Sequence, residues 1–582
     1  MSLLRPYSTD GALSRPVSRY GADALVLAGM AVLFWLLVRL GQGVTAPFSP
    51  VTAPASVSTD PANLPYYALR SLLRMFAALA VSLVFTFVYA TAAARLRRAE
   101  KVLLPVLDVL QSVPVLAFLS ITLSLWLALF PHTVLGVECA SVFAIFTSQA
   151  WNMTFAFYQS LVSQPRELDE AARILRLTKW QRFWRLDVPH GMIPLVWNGM
   201  MSFGGGWFFL IASEVLSVNN HTYALPGIGS YVAAASTRQQ LGRMFLAIGV
   251  MIVMVVGVNL LFWRPLTAWA ERFRLGDSTS AEAPRSLVLD LLRRSAVPAL
   301  IARAAHPAGR GLDRVTRRFG LAEYPLLANP ARRRVGDVVF VVLYAAAVAW
   351  GLWGLLSYVA GTAGLAEFGH AFVLGLVTFA RVIVLVVVGT LVWVPIGVWI
   401  GMNPRVCRFA QPVVQVLASF PANFLFPLFT LALIDTGVSI NLGGILLMSL
   451  GAQWYILFNV IAGASAIPID LREAATSLRL PRLLRWRRLI LPAVFSAWVT
   501  GGITAAGGAW NASIVAEVVS YGGHTLTATG LGAYISHSTA AGDFPRTLVG
   551  VAVMTVYVVG LNRLFWRRLY RVAATRYSIQ SS

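Results

Sequence analysis

The sequence predicts an all-α polytopic membrane protein, built as a tandem duplication of one six-span unit. Three observations carry this. The chain of 582 residues is 57% hydrophobic and only 12% charged, with a mean hydropathy of +0.69. Apolar stretches long enough to cross a bilayer as helices follow one another along its length. Residues of rare type recur at a fixed distance, so that the second half repeats the first.

Soluble domains are about 25% charged, so the composition excludes an ordinary soluble protein. The net charge of +23 does not mark a nucleic-acid binder. The basic residues sit in short runs between apolar stretches, such as Arg95, Arg97, Arg98 and Lys101, then Arg332–Arg334, then Arg485, Arg487 and Arg488. A basic excess in alternate loops is the positive-inside pattern. Cys139 and Cys407 stand far apart, so the sequence offers no metal-ligand spacing and no disulfide framework.

Taken in order, the spans are expected at 22–40, 70–93, 109–130, 134–157, 192–214 and 242–263, then at 337–357, 375–400, 413–434, 440–462, 494–516 and 546–565, twelve in all. The first stretch lacks a convincing cleavage context and reads as a helix that is retained. Pro114 and Pro421 interrupt two of these spans, which requires other partners for the freed carbonyls. The loops at 94–101, 158–190 and 264–336 are basic. The loop 41–68 carries no Lys or Arg and 217–240 carries only Arg238. The expected orientation has both termini in the cytoplasm.

Placed beside residue i, residue i+303 matches repeatedly: Pro165 with Pro468, Glu170-Ala171-Ala172 with Glu473-Ala474-Ala475, Leu177 with Leu480, Pro189 with Pro492, Glu214 with Glu517, His221 with His524, Gly229 with Gly532, Tyr231 with Tyr534, Asn259 with Asn562 and Trp263 with Trp566. Upstream the offset is 307, pairing Arg74 with Arg381, Pro105 with Pro412 and Pro114 with Pro421. Two copies with an even number of spans share one orientation and enclose a central path between them, the geometry of a transporter or channel. The expected domains are 1–265, with a core at 70–265, and 336–582, with a core at 377–567. The Arg-rich linker 266–335 is either a solvated connector or, around 285–305, a helix lying on an anionic leaflet.

One cytoplasmic loop of each copy is not simple. The first runs from Gln164-Pro165 through Glu167, Asp169, Glu170-Ala171-Ala172 and Leu175 to Val188-Pro189. The second runs from Pro468 through Asp470, Glu473-Ala474-Ala475 and Leu478 to Leu491-Pro492. Proline followed by acidic residues opens a helix. Leu168, Ala171, Ala172 and Leu175 recur at helical spacing and predict one apolar stripe. Such a short helix either rests on the bilayer or docks in a groove of another protein, and its occurrence in both copies favours docking.

These loops resemble the EAA loops of type I ABC importer permeases, the membrane subunits of binding-protein-dependent transport systems. The resemblance covers roughly 70–265 and 377–567. Leu225-Pro226-Gly227-Ile228-Gly229 resembles a stretch of the nitrate, sulfonate and taurine branch; the second copy reads Thr529-Gly530-Leu531-Gly532. The family usually has one unit per chain, and this sequence resembles a fused pair. One departure concerns the glycine that the family places six residues after the glutamate: Arg176 and Arg479 stand there.

The resemblance implies a permease in a bacterial inner membrane, not an enzyme. Two separate cytoplasmic ATPase subunits bind below it, and an extracytoplasmic solute-binding protein delivers a small solute, with nitrate, a sulfonate or a taurine-like anion suggested by the branch. The chain has no GxxxxGK[ST] loop, so ATP is used by the partner and no cofactor is expected. Glu170, Ala171, Ala172 and Leu175, with Glu473, Ala474, Ala475 and Leu478, are the implied ATPase-coupling residues. Glu214 and Glu517 near span ends, with Asn198 and Asn511, are pathway candidates, against a structural role as partners of nearby polar groups. Ser202 and Ser513 either line the cavity or bond across helices. His221 and His524 lie in outer loops. The competing reading, an ion-gradient-driven secondary transporter of twelve spans, needs ion sites within the spans and has no use for paired cytoplasmic helices.

Overall fold

The computed structural model describes residues 21–31, 57–112, 119–131, 133–218, 221–273, 286–298 and 330–576, with isolated positions between 300 and 315. After a short apolar helix at Gly21–Ala31, Asp60 accepts the Ala62 amide and starts the chain into α1 (Leu64–Arg95), which ends where Leu96 turns extended. Then come α2 (Arg97–Ser112), α3 (Leu119–Leu129), α4 (Leu135–Val162) and the short α5 (Arg166–Ile174). A widened π turn at Phe183–Asp187 leads into α6 (Val188–Glu214). The Val188 amide reaches back five residues to the Phe183 carbonyl, which accommodates Pro189, a residue with no amide to offer the ladder. The strands β1 (Val215–Val218) and β2 (His221–Ala224) pair antiparallel and lead to α7 (Ile228–Thr237) and α8 (Leu241–Val258). The linker contributes α9 (Leu287–Arg294).

The second half begins with α10 (Pro330–Thr362) and then repeats the first: α11 (Ala366–Met402), α12 (Pro404–Ser419), α13 (Phe426–Thr436), α14 (Ile440–Ser465), α15 (Ile469–Ser477), α16 (Leu491–Ala516), the hairpin β3 (Val518–Tyr521) and β4 (His524–Thr527), α17 (Leu531–Ala541) and α18 (Phe544–Leu561). Even the π turns recur, at Trp486–Ile490 before Pro492 and at Asn259–Trp263 and Asn562–Trp566. In each half a central helix, α4 or α14, is sandwiched between two others, α1 and α6 or α11 and α16. Small residues permit this close packing. A Cβ on Gly501 of α16 would lie 2.8 Å from the Tyr455 carbonyl of α14.

The structure corrects the expected span count. Among the described residues eight helices are long and apolar enough to cross a membrane, three in the first half and five in the second. The expected span 413–434 is two helices. Pro421 forces Phe420 into an extended conformation (φ −72°, ψ 129°), α12 stops there, and α13 starts only at Phe426. In the first half α2 ends at Ser112 and α3 begins at Leu119; the residues between lie outside the described set, as do 32–40 of the first expected span. α4 is long enough, but Ser141, Thr147, Ser148, Gln149, Asn152 and Thr154 make it polar, and it is not among the eight. Among the described residues the fold is helical except for the two hairpins, at positions where the sequence predicts loops. The β-branched Val215, Val218, Thr222, Val518, Val519, Thr525 and Thr527 favour them.

Candidate functional site: coupling helices and charge anchors

The two short loop helices, α5 and α15, are the same object built twice. α5 is opened by Pro165 and carries Glu167 and Asp169 in its first turn; α15 is opened by Pro468 and carries Asp470. Each ends in the same double-bonded turn. The Leu177 amide donates to the Ala172 carbonyl (3.1 Å) and the Arg176 amide to Arg173 (2.9 Å). Leu480 and Arg479 repeat this onto Ala475 and Thr476, at 3.1 and 3.0 Å. This turn needs a left-handed residue, ordinarily glycine. Arg176 (φ 45°) and Arg479 (φ 46°) adopt it. The bend is therefore made without glycine, at a cost of about 1–2 kcal/mol each.

The expected apolar stripe divides. Ala172 and Ala475 face the body of the protein, 3% and 5% exposed. Glu170, Ala171, Glu473 and Ala474 face outward, and Leu175 and Leu478 are 69% and 71% exposed. The outward face thus combines an acid, a small residue and an uncovered leucine in both copies.

The helices are fastened differently. Asp169 of α5 pairs with Arg182, while Arg95 at the end of α1 donates to Asp187 (2.6 Å) and Gln164 (3.1 Å). At the position of Asp169 the second copy has Arg472. Its guanidinium donates to the carbonyls of Ala464 (2.7 Å) and Met402 (3.3 Å), at the C-terminal ends of α14 and α11. A cation there meets the negative ends of two helix dipoles.

Glu214 and Glu517 are fully buried. Arg74 of α1 donates Nη1 to Glu214 (2.7 Å), and Gly229 at the start of α7 donates its amide (2.7 Å). The Ser71 hydroxyl donates to Glu214 and accepts the Ile228 amide at 3.0 Å. In the second half Arg381 donates to Glu517 (2.8 Å), as do the Thr378 hydroxyl (2.8 Å) and the Ala533 amide (3.0 Å), and Thr378 accepts from Leu531 (2.9 Å). Each carboxylate thereby ties the N-terminus of α7 or α17 to α1 or α11. Gly227 and Gly530 leave the room for this. A Cβ on either would lie 2.2 or 2.3 Å from carboxylate atoms, and both have extended backbones, so space and not backbone freedom requires glycine.

The halves differ in what surrounds the anchor. In the first, Glu138 takes two bonds from Arg74 (2.6 and 2.8 Å) and a further ion pair from Arg70. The corresponding second-half residues are Asn441 and Val377. Arg381 donates to the Asn441 side chain (2.7 Å). Two cations balance two acids in one half, and one balances one in the other, so neither half buries a net charge.

The hairpins cross between halves. β1 packs on α17 and β3 packs on α7. The Gly522 amide in the β3–β4 turn donates to the Ser236 carbonyl (3.2 Å), and Tyr521, 5% exposed, is buried with Ala235, Met244, Leu428 and Leu431. Gln239, in a left-handed conformation (φ 55°), lies against Gly522.

Asn198 and Asn511 both donate to carbonyls four residues back, Pro194 (2.9 Å) and Gly507 (3.2 Å). Ser513 bonds to the Trp510 carbonyl (2.8 Å), and buried Ser202 makes no hydrogen bond with its hydroxyl among the described residues. His524 is exposed; the side chain of His221 lies outside the described set. Arg74 and Arg381 were visible in the sequence through their offset, but Ser71, Thr378 and the Arg70–Glu138 pair carried no such signal, the pair because only one copy has it.

Two segments, 82–264 and 393–577, match the family described as binding-protein-dependent transport system inner membrane component. The chain is similar to the nitrate import permease protein of Synechococcus elongatus, 26% identical over 188 residues, or 32% of this chain and 64% of that protein. It is also similar to the bicarbonate transport system permease protein of the same organism, 26% identical over 135 residues, covering 23% of this chain and 47% of that one. The glycine betaine/proline betaine transport system permease protein of Escherichia coli is 24% identical over 242 residues, 41% of this chain and 63% of that protein. The chain spans about three fifths of the length of the nitrate permeases it matches.

The difference between the anchors predicts a specific pattern of stability. Arg70→Val or Glu138→Asn alone leaves an uncompensated buried charge and costs about 3–5 kcal/mol. The two together install the second half's residues and recover most of that loss, a coupling readable as a double-mutant cycle of thermal unfolding in detergent. A double variant no more stable than the worse single one contradicts the charge-balance account.

Proposed function

The chain belongs to the family of binding-protein-dependent transport system inner membrane components, with two permease units in one polypeptide, and from this we propose that it forms the whole translocation path of an ATP-driven importer of a small solute. It is a membrane permease and carries out no catalysis itself. The observation that carries the reading is the pair of cytoplasmic helices, α5 and α15, alike in opening, terminal turn and outward face.

In this reading each helix seats in one of two separate ATPase subunits. The exposed Ala171 and Ala474 allow close approach, Leu175 and Leu478 fill the partner's groove, and Glu170 and Glu473 meet its polar rim. Closure of the ATPase pair draws the helices together, and α6 and α16, joined to them through the turns at Arg176 and Arg479 and then the π turns, carry the movement into the membrane. The buried contacts of Ala172 and Ala475, with the Arg182–Asp169 and Arg472 clamps, make each helix move with its own half.

An extracytoplasmic binding protein delivers the solute. The nitrate and bicarbonate permeases among the relatives support a small anion, whereas the betaine permease keeps a zwitterion in view. The expected boundaries, units at 1–265 and 336–582 around the linker 266–335, give each unit one coupling helix. With both termini and the linker in the cytoplasm of a bacterial inner membrane, the basic loops stay inside. The crossed hairpins then lie at the opposite, outer face and close the path there.

Two outcomes test this. Ala171→Arg leaves the permease folded but uncouples ATP hydrolysis from uptake in proteoliposomes holding the full transporter; normal uptake with normal stimulated hydrolysis contradicts the docking. For the outer closure, a Cβ on Gly522 would lie 3.0 Å from Gln239 Cγ, a spacing that suits a bridge between Gln239→Cys and Gly522→Cys. Oxidation of that pair, with Cys139 and Cys407 replaced, holds the halves together after cleavage at a protease site inserted in the linker. It stops uptake until reductant is added. Full cross-linking with unchanged uptake contradicts the gate.

A further inference from the structure

On the seam between them the duplicated halves differ at a pair of equivalent residues in their central helices. Asn152 of α4 and Tyr455 of α14 are equivalent, each directly following a tryptophan, Trp151 or Trp454. Asn152 stays within its own half and accepts a hydrogen bond from Gln111 (2.9 Å). Tyr455 reaches across the seam. Its ring lies beside Gly508 of α16, with Cε2 3.6 Å from where a Cβ would stand. Its hydroxyl is 3.7 Å from the Cβ position of Gly205 on α6, in the other half. Gly205 and Gly508 are themselves equivalent residues. Among the described residues outside its own helix backbone, no other atom comes within 4 Å of a Gly205 Cβ, and none comes within 4 Å of a Cβ on the adjoining Gly507.

The neighbouring contacts define the seam. A Cβ on Gly204 would lie 2.8 Å from the Ser419 hydroxyl of α12. The Asn423 amide donates to the Phe208 carbonyl of α6 (3.0 Å). Tyr455 therefore stands where α6 of one half faces α14 and α16 of the other, beside glycines that leave space around its hydroxyl among the described residues. Its hydroxyl makes no hydrogen bond among the described residues. A hydroxyl placed among glycines, without a partner, keeps its donor for something that passes.

We propose that Tyr455 is the selectivity residue of the path, where a solute rich in acceptor oxygens, such as a small oxyanion, crosses between the halves: its ring sets the width and its hydroxyl supplies one hydrogen bond. This rests on the importer reading. The asymmetry follows directly, because one chain holds both halves and Asn152 cannot mirror the tyrosine. A path with one such hydroxyl binds its solute off the pseudo-twofold axis.

The test uses the full transporter in membrane vesicles, with Cys139 and Cys407 replaced by alanine. Tyr455→Cys is challenged with a small, charged, membrane-impermeant methanethiosulfonate, with and without a non-hydrolysable ATP analogue. Ile456→Cys, next in sequence and fully buried, is the control. Tyr455→Cys is expected to react at least tenfold faster than the control from one side, and the reactive side is expected to change with nucleotide. A rate no greater than that of Ile456→Cys in every condition overturns the proposal. Failure of the importer reading looks different: Tyr455→Cys reacts fast, but nucleotide changes nothing. Tyr455→Phe, which offers no thiol to label, keeps the ring and should lose affinity for the transported anion, read as a raised KM for uptake; an unchanged KM overturns the assigned hydrogen bond.

Discussion

A carboxylate placed at the end of a membrane helix has to be neutralised where it stands, and the end of this protein that carries the hairpins is arranged around that requirement. Glu214 and Glu517 close the two long helices that follow α5 and α15. Each is held by an arginine, by a hydroxyl and by the amide of a helix N-terminus. Removing one of these partners leaves a buried charge, which is far costlier than the net worth of the pair. The hairpin that follows each glutamate starts from this fixed point. The Leu225 amide returns to the Glu214 carbonyl (2.9 Å) and Ala528 to Glu517 (2.8 Å). The crossing of the hairpins between halves is thus a consequence of where the anchors sit.

The opposite end, which carries α5 and α15, follows a different logic. Its helices are short, and an isolated helix of this length has no stability of its own. They hold their shape through terminal turns and through clamps to the long helices. That the two clamps use different chemistry, an ion-pair network around Asp169 and a dipole contact from Arg472, shows that position is what both copies keep. The same holds for Arg176 and Arg479: the left-handed turn is retained although the side chain is poorly suited to it.

Much of this was legible in the sequence, because duplication makes a chain its own comparison. The offset of 303 residues predicted matched elements, and the structure has them, down to the π turns before Pro189 and Pro492. Local chemistry was harder to read. An apolar run tolerates a proline when the freed carbonyl finds another partner, yet Pro421 ends α12, since the residue before it leaves the helical region. The apolar stripe of α5 was read as one face. In the structure Ala172 points inward and Leu175, just past the last helical turn, points away. The Arg70–Glu138 pair could not be anticipated: its two members are 68 positions apart, and charges that meet only in the folded state leave no local trace.

The account stands or falls on whether one polypeptide supplies both coupling helices to a pair of ATPase subunits. The direct measurement is native mass spectrometry of the tagged chain purified in mild detergent from its own membrane. The account predicts one permease chain with two copies of a cytoplasmic ATPase, and loss of both copies when Ala171 and Ala474 are replaced by arginine. An intact permease that reproducibly carries no ATPase, in detergent mild enough to keep other membrane complexes together, would contradict it.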